Sequence, residues 1–335
     1  MLKIDMHAHM LPPDWPNLDS QFGTRGAPYL ERDGERRVIM RDGKFFREIW
    51  SNCWSMDCRI AEYAEFGIQV QVISTVPVMF CYDQPAEHCA HLARFLNDHV
   101  AEQQVTHPRH VIGLGTVPMQ DADTAIAELR RTKEELGLPG IQIGSNVNDM
   151  NLDDPALLPI FEAASDLELA ILVHPWEMMG REKMSDYWLP WLVGMPAELS
   201  RAICSLIFGG VMEQLPRLRF CFAHGGGSFP YTIGRIEHGF NMRPDLVATR
   251  NKVSPRSYLG RFFVDSVTHD PAALRYLLDV VGPDNVMLGS DYPFPLGEQR
   301  PGSAIEALEL DEPTRAALYH GNTLRWLNLD AERFA

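Results

Sequence analysis

A chain of 335 residues, 45% hydrophobic, is long enough for one large core of α/β-barrel size with insertions. Its formal net charge of -15 argues against nucleic acid or anionic membrane as a partner, since both demand a basic face, and an anionic small substrate would have to meet a local arginine or lysine cluster. No apolar run reaches the roughly 18 residues needed to span a bilayer. Lys3 is followed at once by Ile4-Asp5, which predicts no signal peptide. Six cysteines without CxxC spacing predict reduced thiols in a cytoplasmic protein.

IDMHAH (4–9) reads as a first buried strand. The stretch from 12 to about 55 exceeds ordinary loop length, and it contains ERDGERRVIMRDGKFFREIW. Its two Asp-Gly pairs flank short alternating segments, which predicts a small antiparallel insertion sheet. A helix over 57–66 leads to VQVIST (70–75), a helix over 85–104 to VIGLGTV (111–117), and a helix over 121–136 to GIQIGS (140–145). In 121–136, Ala122, Ala125, Ile126 and Leu129 recur at helical spacing. A helix over 155–167 precedes AILVHP (170–175), and a second long stretch, 176–196, reads as a lid insertion. Helices over 197–214, 229–240 and 271–281 then alternate with RFCFAH (219–224), FFVDSV (262–267) and VMLGSD (286–291), before a last helix near 303–327. Pro155 and Pro271 sit where a first helical turn accepts proline. Eight alternations of strand and helix predict a single α/β domain over 1–335, a (β/α)8 TIM barrel. Its insertions follow strands one and five, on the face that carries active sites in such barrels.

Residues i and i+2 of a strand share a face, so His7 and His9 project together from the first strand. An HxH pair alone is weak. The fifth strand, however, ends with His174, the sixth with His224 and the eighth with Asp291, so a closed barrel would gather all five on one rim. Three imidazoles and one carboxylate suit zinc. The expected ligands are therefore His7, His9, His174 and Asp291. His224, whose backbone Gly225-Gly226-Gly227 frees for a tight turn, is expected to be the base beside a metal-activated water. GIQIGSN offers no lysine, glutamate or cysteine to bridge a second ion, so one metal is expected.

These residues lie in segments that resemble the amidohydrolase superfamily, in its branch of metal-dependent, O2-independent decarboxylases. KIDMHAHMLPPDWPNL, STVPVMF, GIQIGSNVN, VHPWEM, YWLPWLVGMPAE, CFAHGGGSFP and VMLGSDYPFPLGE carry the likeness, from residue 3 to about 325. The resemblance implies a distorted barrel, one Zn2+ per subunit, and loss of CO2 from 2-amino-3-carboxymuconate 6-semialdehyde. That reaction belongs to the kynurenine route of tryptophan breakdown or to 2-nitrobenzoate degradation. The resemblance also places two carboxylate-binding arginines on Arg47 and Arg235, the latter reaching the neighbouring active site of a homodimer. Trp176, Trp188, Trp191, Met178 and Phe294 fall in segments expected to line the pocket, Trp191 ahead of Trp188, and Lys44 is expected to help place a carboxylate. His269 is expected to cap or buttress the helix after strand seven. A sister decarboxylase of an aromatic acid such as a resorcylate, or a metal-dependent lactone or amide hydrolase, would use the same metal site.

Overall fold

The structure, a computed structural model, describes residues 1–34 and 36–334. Eight parallel strands form one sheet in chain order: β1 (Ile4–His9), β2 (Val70–Ser74), β3 (Val111–Gly115), β4 (Gly140–Gly144), β5 (Ala170–His174), β6 (Phe220–Phe222), β7 (Phe263–Asp265) and β8 (Val286–Met287). Every residue of these strands is buried, as expected when helices cover the outer face and side chains fill the inside. The last strand returns to the first. Met6 N–H donates to Leu288 O at 2.8 Å, His9 N–H to Tyr292 O at 2.7 Å and Asp291 N–H to His7 O at 2.8 Å. The barrel is thereby closed and leaves no free sheet edge there.

Alternation along the strands sorts the core into two layers. Ile4, Met6, Val72, Leu114, Leu172 and Met287 fill the interior, and Leu324, Trp326 and Leu327 of the helix Asn322–Leu327 plug its base. Ile141, Ile143, Ile171, Phe222 and Val264 face outward, where they meet apolar helix positions such as Leu129, Phe161, Leu206 and Leu277. Contrary to the expectation that no apolar run is long enough to span a bilayer, Pro190–Phe208 is long and apolar enough by composition. Its Leu199, Ala202, Ile203 and Leu206 are buried in the outer core, the behaviour of a core helix.

Two register shifts matter for the site. Pairing of β1 with β2 breaks between Asp5 and Ala8, so Met6 faces the interior and His7 follows it inward. The insertion after β1 is a three-stranded antiparallel sheet of Tyr29–Asp33, Arg36–Arg41 and Lys44–Ile49. Asp42 and Gly43 both take positive φ (53° and 67°), as a tight hairpin turn requires. There Ile39 pairs with Arg47 and Met40 with Phe45, which leaves Phe46 as the extra residue of a bulge. The long helix expected over 197–214 is broken at Gly209-Gly210 into Met195–Phe208 and Val211–Gln214, with Gly210 at φ 82°. The region 303–327 is likewise four short helical pieces rather than one helix.

Candidate active site

β1 and β5 deliver His7, His9 and His174 from their C-terminal ends. The other two residues sit beyond their strands. β6 stops at Phe222 and β8 at Met287, so His224 and Asp291 lie on the following turns, at φ 51° and 60°. Left-handed backbone at non-glycine residues is costly and is tolerated where the surroundings over-determine it. Here it swings both side chains back over the barrel mouth.

Ligand atoms of His7, His9, His174 and Asp291 all lie within 4.8 Å of one another. His9 Nε2 is 3.0 Å from Asp291 Oδ1, and His7 Nε2 is 3.2 Å from His9 Nε2. The opposite nitrogen of each ring is already committed. His7 Nδ1 bonds Asp265 Oδ2 at 2.6 Å, His9 Nδ1 bonds Thr75 O at 2.9 Å and His174 Nδ1 bonds Pro175 O at 3.0 Å. These oxygens only accept, so each Nδ1 carries the hydrogen and each Nε2 keeps its lone pair. His174 Nε2 is buried and has no hydrogen-bond partner among the described residues. Three convergent lone pairs and a carboxylate oxygen, with a buried nitrogen left unpartnered, form a metal-binding site.

Charge states agree with that role. Burial, with the neighbouring histidine rings, holds His174 well below its ordinary pKa, and burial lowers His9 too, so both are neutral imidazoles. Burial works against ionisation of Asp291, but the adjacent His224, His9 and His7 rings outweigh it and keep the carboxyl well below the usual range. His7 runs the other way: burial lowers it, and the Asp265 carboxylate more than compensates, which makes its ring the most basic of the three.

His224 stands beside this group. Its ring stacks 5.4 Å from that of His7, and its Nε2 lies 3.5 Å from Asp291 Oδ2. Gly225, Gly226 and Gly227 all take positive φ, so the turn expected from the glycine run is present.

An aromatic cleft rises from His9, His174 and Asp291. Phe46, Arg47, Trp176, Trp188, Trp191 and Phe294 line it. The bulge at Phe46 explains why Phe46 and Arg47, although adjacent, both reach it. The Arg47 guanidinium lies 4.3 Å from the centroid of the Phe294 ring and forms no ion pair among the described residues. A second cleft shares Trp191, Met195, Asp291 and Leu296 with the first, and carries His224 and His269.

The other singled-out residues lie as follows. Lys44 is exposed and lines a separate depression with Arg41, Phe46, Glu177 and Arg181, not the cleft itself. Met178 is buried against Gly194, since Glu177 (φ 49°) turns the chain after Trp176, while Trp176 lines the cleft as expected. Arg235 is exposed on the helix Phe229–Met242, outside the cleft of its own chain. His269 does not cap the next helix: Asp270 accepts from Ala272 N and Ala273 N, and His269 faces the second cleft.

Two residues escaped the sequence reading, Asp265 and Gly289. Asp265 is the fully buried last residue of β7 and accepts the His7 ring hydrogen. A Cβ on Gly289 would stand 2.8 Å from Asp265 Cβ and 3.1 Å from His7 Cβ. Gly289→Ala is expected to cost about 1–3 kcal/mol of stability by overpacking and to weaken metal retention, which denaturant unfolding and metal titration would show. The only sequence signal for either was position, a polar or small residue near the C-terminal end of a barrel strand.

A family model described as amidohydrolase matches residues 4–329. The chain belongs to the amidohydrolase family. It falls among that family's decarboxylases, which are carboxy-lyases. A 2-amino-3-carboxymuconate-6-semialdehyde decarboxylase of Dictyostelium discoideum is 55% identical over 335 residues, covering 99% of this chain and 93% of the relative. The solved 5-carboxyvanillate decarboxylase of Sphingomonas paucimobilis shares 26% identity at a TM-score of 0.84, with 98% and 99% of the two chains covered. A dihydroxybenzoic acid decarboxylase of Polaromonas sp. JS666, with bound manganese and the inhibitor 2-nitroresorcinol, has the same fold at 21% identity and a TM-score of 0.78 over 99% and 98% of the chains.

Proposed function

We propose that this chain decarboxylates 2-amino-3-carboxymuconate 6-semialdehyde to 2-aminomuconate 6-semialdehyde, with one Zn2+ per subunit. The observation that carries this reading is Arg47. An arginine without an ion pair, in the aromatic cleft that opens over three histidines and an aspartate, calls for an anionic substrate. Burial pulls its pKa down from the ordinary value, yet arginine stays charged at any working pH. The Dictyostelium relative's name supplies the particular acid, a dicarboxylate.

His7, His9, His174 and Asp291 would hold the ion. When bound, a divalent metal here supplies Lewis-acid polarisation and a water acidic enough to lose a proton near neutral pH. The chain's own groups do the rest. Arg47 fixes one substrate carboxylate by bidentate hydrogen bonds. The tryptophans and Phe294 exclude bulk water, which strengthens that pairing. His224 Nε2, 3.5 Å from Asp291 Oδ2, accepts the proton of the water that adds to C2 and returns it to C3. The bond from C3 to its carboxylate then breaks. Its electron pair restores the C2=C3 double bond and expels hydroxide from C2, so CO2 leaves and one proton is consumed overall. Direct protonation of C3 by His224 followed by C–C cleavage gives the same products.

Arg235 serves the neighbouring site of a homodimer in this proposal. Tyr231, Met242 and Leu246, exposed apolar residues on or just after its helix, support an interface there.

Loss of the substrate's near-ultraviolet absorbance on adding zinc-loaded protein, with a chelator-treated control, tests the reading. Turnover of γ-resorcylate or 5-carboxyvanillate in preference to the muconate would move the chain to the aromatic-acid decarboxylases. Arg47→Met is expected to raise KM by roughly 10–100-fold, the equivalent of losing charge-assisted hydrogen bonds of about 1.5–3 kcal/mol, with a smaller effect on kcat. Steady-state kinetics checks this.

A further inference from the structure

The carboxylate of Asp265 touches neither cleft, yet it is fully buried directly behind the metal site. Its four hydrogen bonds divide between its two oxygens. Oδ2 accepts from His7 Nδ1 at 2.6 Å and from His224 N at 2.9 Å. Oδ1 accepts from Gly225 N at 2.8 Å and Val267 N at 3.1 Å. One side chain therefore holds the ring of a metal ligand and, through two consecutive backbone N–H groups, the left-handed turn that aims His224.

We infer that Asp265 is a positioning residue that joins the metal site and the proton-transfer histidine into one rigid unit. Its first task is the His7 tautomer. A carboxylate oxygen can only accept, so the hydrogen stays on Nδ1 and Nε2 remains open to the ion. Its second task is strain. His224 at φ 51° and Gly225 at φ 61° form a turn whose N–H groups, buried against β7, would otherwise be unpaired. Because His7 and His224 share Oδ2, their relative placement is fixed within one hydrogen-bonded cluster. The stacking of the two rings 5.4 Å apart agrees with this. The inference rests on the roles given above to His7 and His224, and not on which acid is the substrate.

Asp265→Asn separates the two tasks chemically. An asparagine has one accepting oxygen. If that oxygen faces His7, the amide NH2 faces the Gly225 and Val267 N–H groups, donor against donor, and the turn loosens. If it faces the turn, the NH2 faces His7 Nδ1, which drives the ring to its Nε2–H tautomer and removes a ligand lone pair. The expected result is metal affinity lower by about 10–100-fold, the usual effect of losing a partner behind a ligand. Affinity is measured by competition with a chromogenic chelator on protein shown to be folded by circular dichroism. At metal saturation kcat is expected to fall while KM stays nearly constant, because Asp265 lines no part of either cleft. The Co2+-loaded variant is expected to show a shifted visible absorption band. Unchanged affinity, band and kcat in a folded variant would overturn the inference while leaving the substrate reading intact. Wild-type protein that takes up no metal at all would overturn both.

If Asp265→Asn does not fold, 15N-labelled wild-type protein provides the second test. A downfield, solvent-protected His7 Nδ1–H resonance is expected already in the metal-free enzyme. A metal-free His7 ring protonated only at Nε2 would contradict the inference.

Discussion

Alanine in place of His174 is expected to give a folded barrel that no longer retains metal. The fold should survive because His174 Nε2 satisfies no other buried group and its Nδ1 reaches only the adjacent Pro175 carbonyl, so deletion orphans no distant partner. The ion loses one of its four ligands and the only one supplied by β5. Affinity should fall by more than the roughly 10–100-fold typical of partners that act through a ligand. Turnover should drop to that of chelator-treated wild type. Elemental analysis after dialysis, with thermal unfolding of both metal-free proteins, checks the two halves. A variant that keeps one metal per chain would remove His174 from the ligand set.

Replacement of His224 should produce the opposite pattern: metal retained, chemistry lost. A positioned acid–base group contributes about 10²–10⁴-fold, so kcat should fall within that range while metal content stays at one per chain. Asparagine is a better probe than alanine. Position 224 holds φ 51°, a conformation asparagine tolerates and alanine resists, so Asn keeps the turn while removing the imidazole. KM should change little, since Arg47 and the aromatic walls are untouched. Full activity in a metal-replete His224→Asn enzyme would exclude the proton-transfer role.

How far the sequence carried these assignments depends on which physics wrote each feature. Barrel strands are short, mostly apolar runs between amphipathic helices, a pattern that burial on both faces imposes, so their order and number were legible. His7 and His9 were legible for a related reason, because period-two spacing is a property of any strand. What defeats period-two reasoning is a register shift. The break between Asp5 and Ala8 in β1 and the bulge at Phe46 each reverse the alternation, and nothing in IDMHAH or KFFREI marks the spot. Turns with positive φ at non-glycine residues were equally silent. His224 and Asp291 were expected at strand ends and instead lie beyond them, held by tertiary hydrogen bonds rather than local propensity. Asp265 in FFVDSV looked like any polar residue closing a strand. Its importance comes from a partner 258 positions away. Arg235 is a different case: its expected contact belongs to a second subunit, which no single chain displays.

The most direct test of the central claim is the fate of the 3-carboxyl carbon. The wild-type protein, zinc-loaded, is mixed with 2-amino-3-carboxymuconate 6-semialdehyde labelled at that carboxyl, and labelled CO2 is counted against substrate consumed. The prediction is one CO2 per substrate, none after chelation, and recovery when zinc is restored. Substrate consumed without labelled CO2, or CO2 release that persists in chelated protein, would contradict metal-dependent decarboxylation at this site.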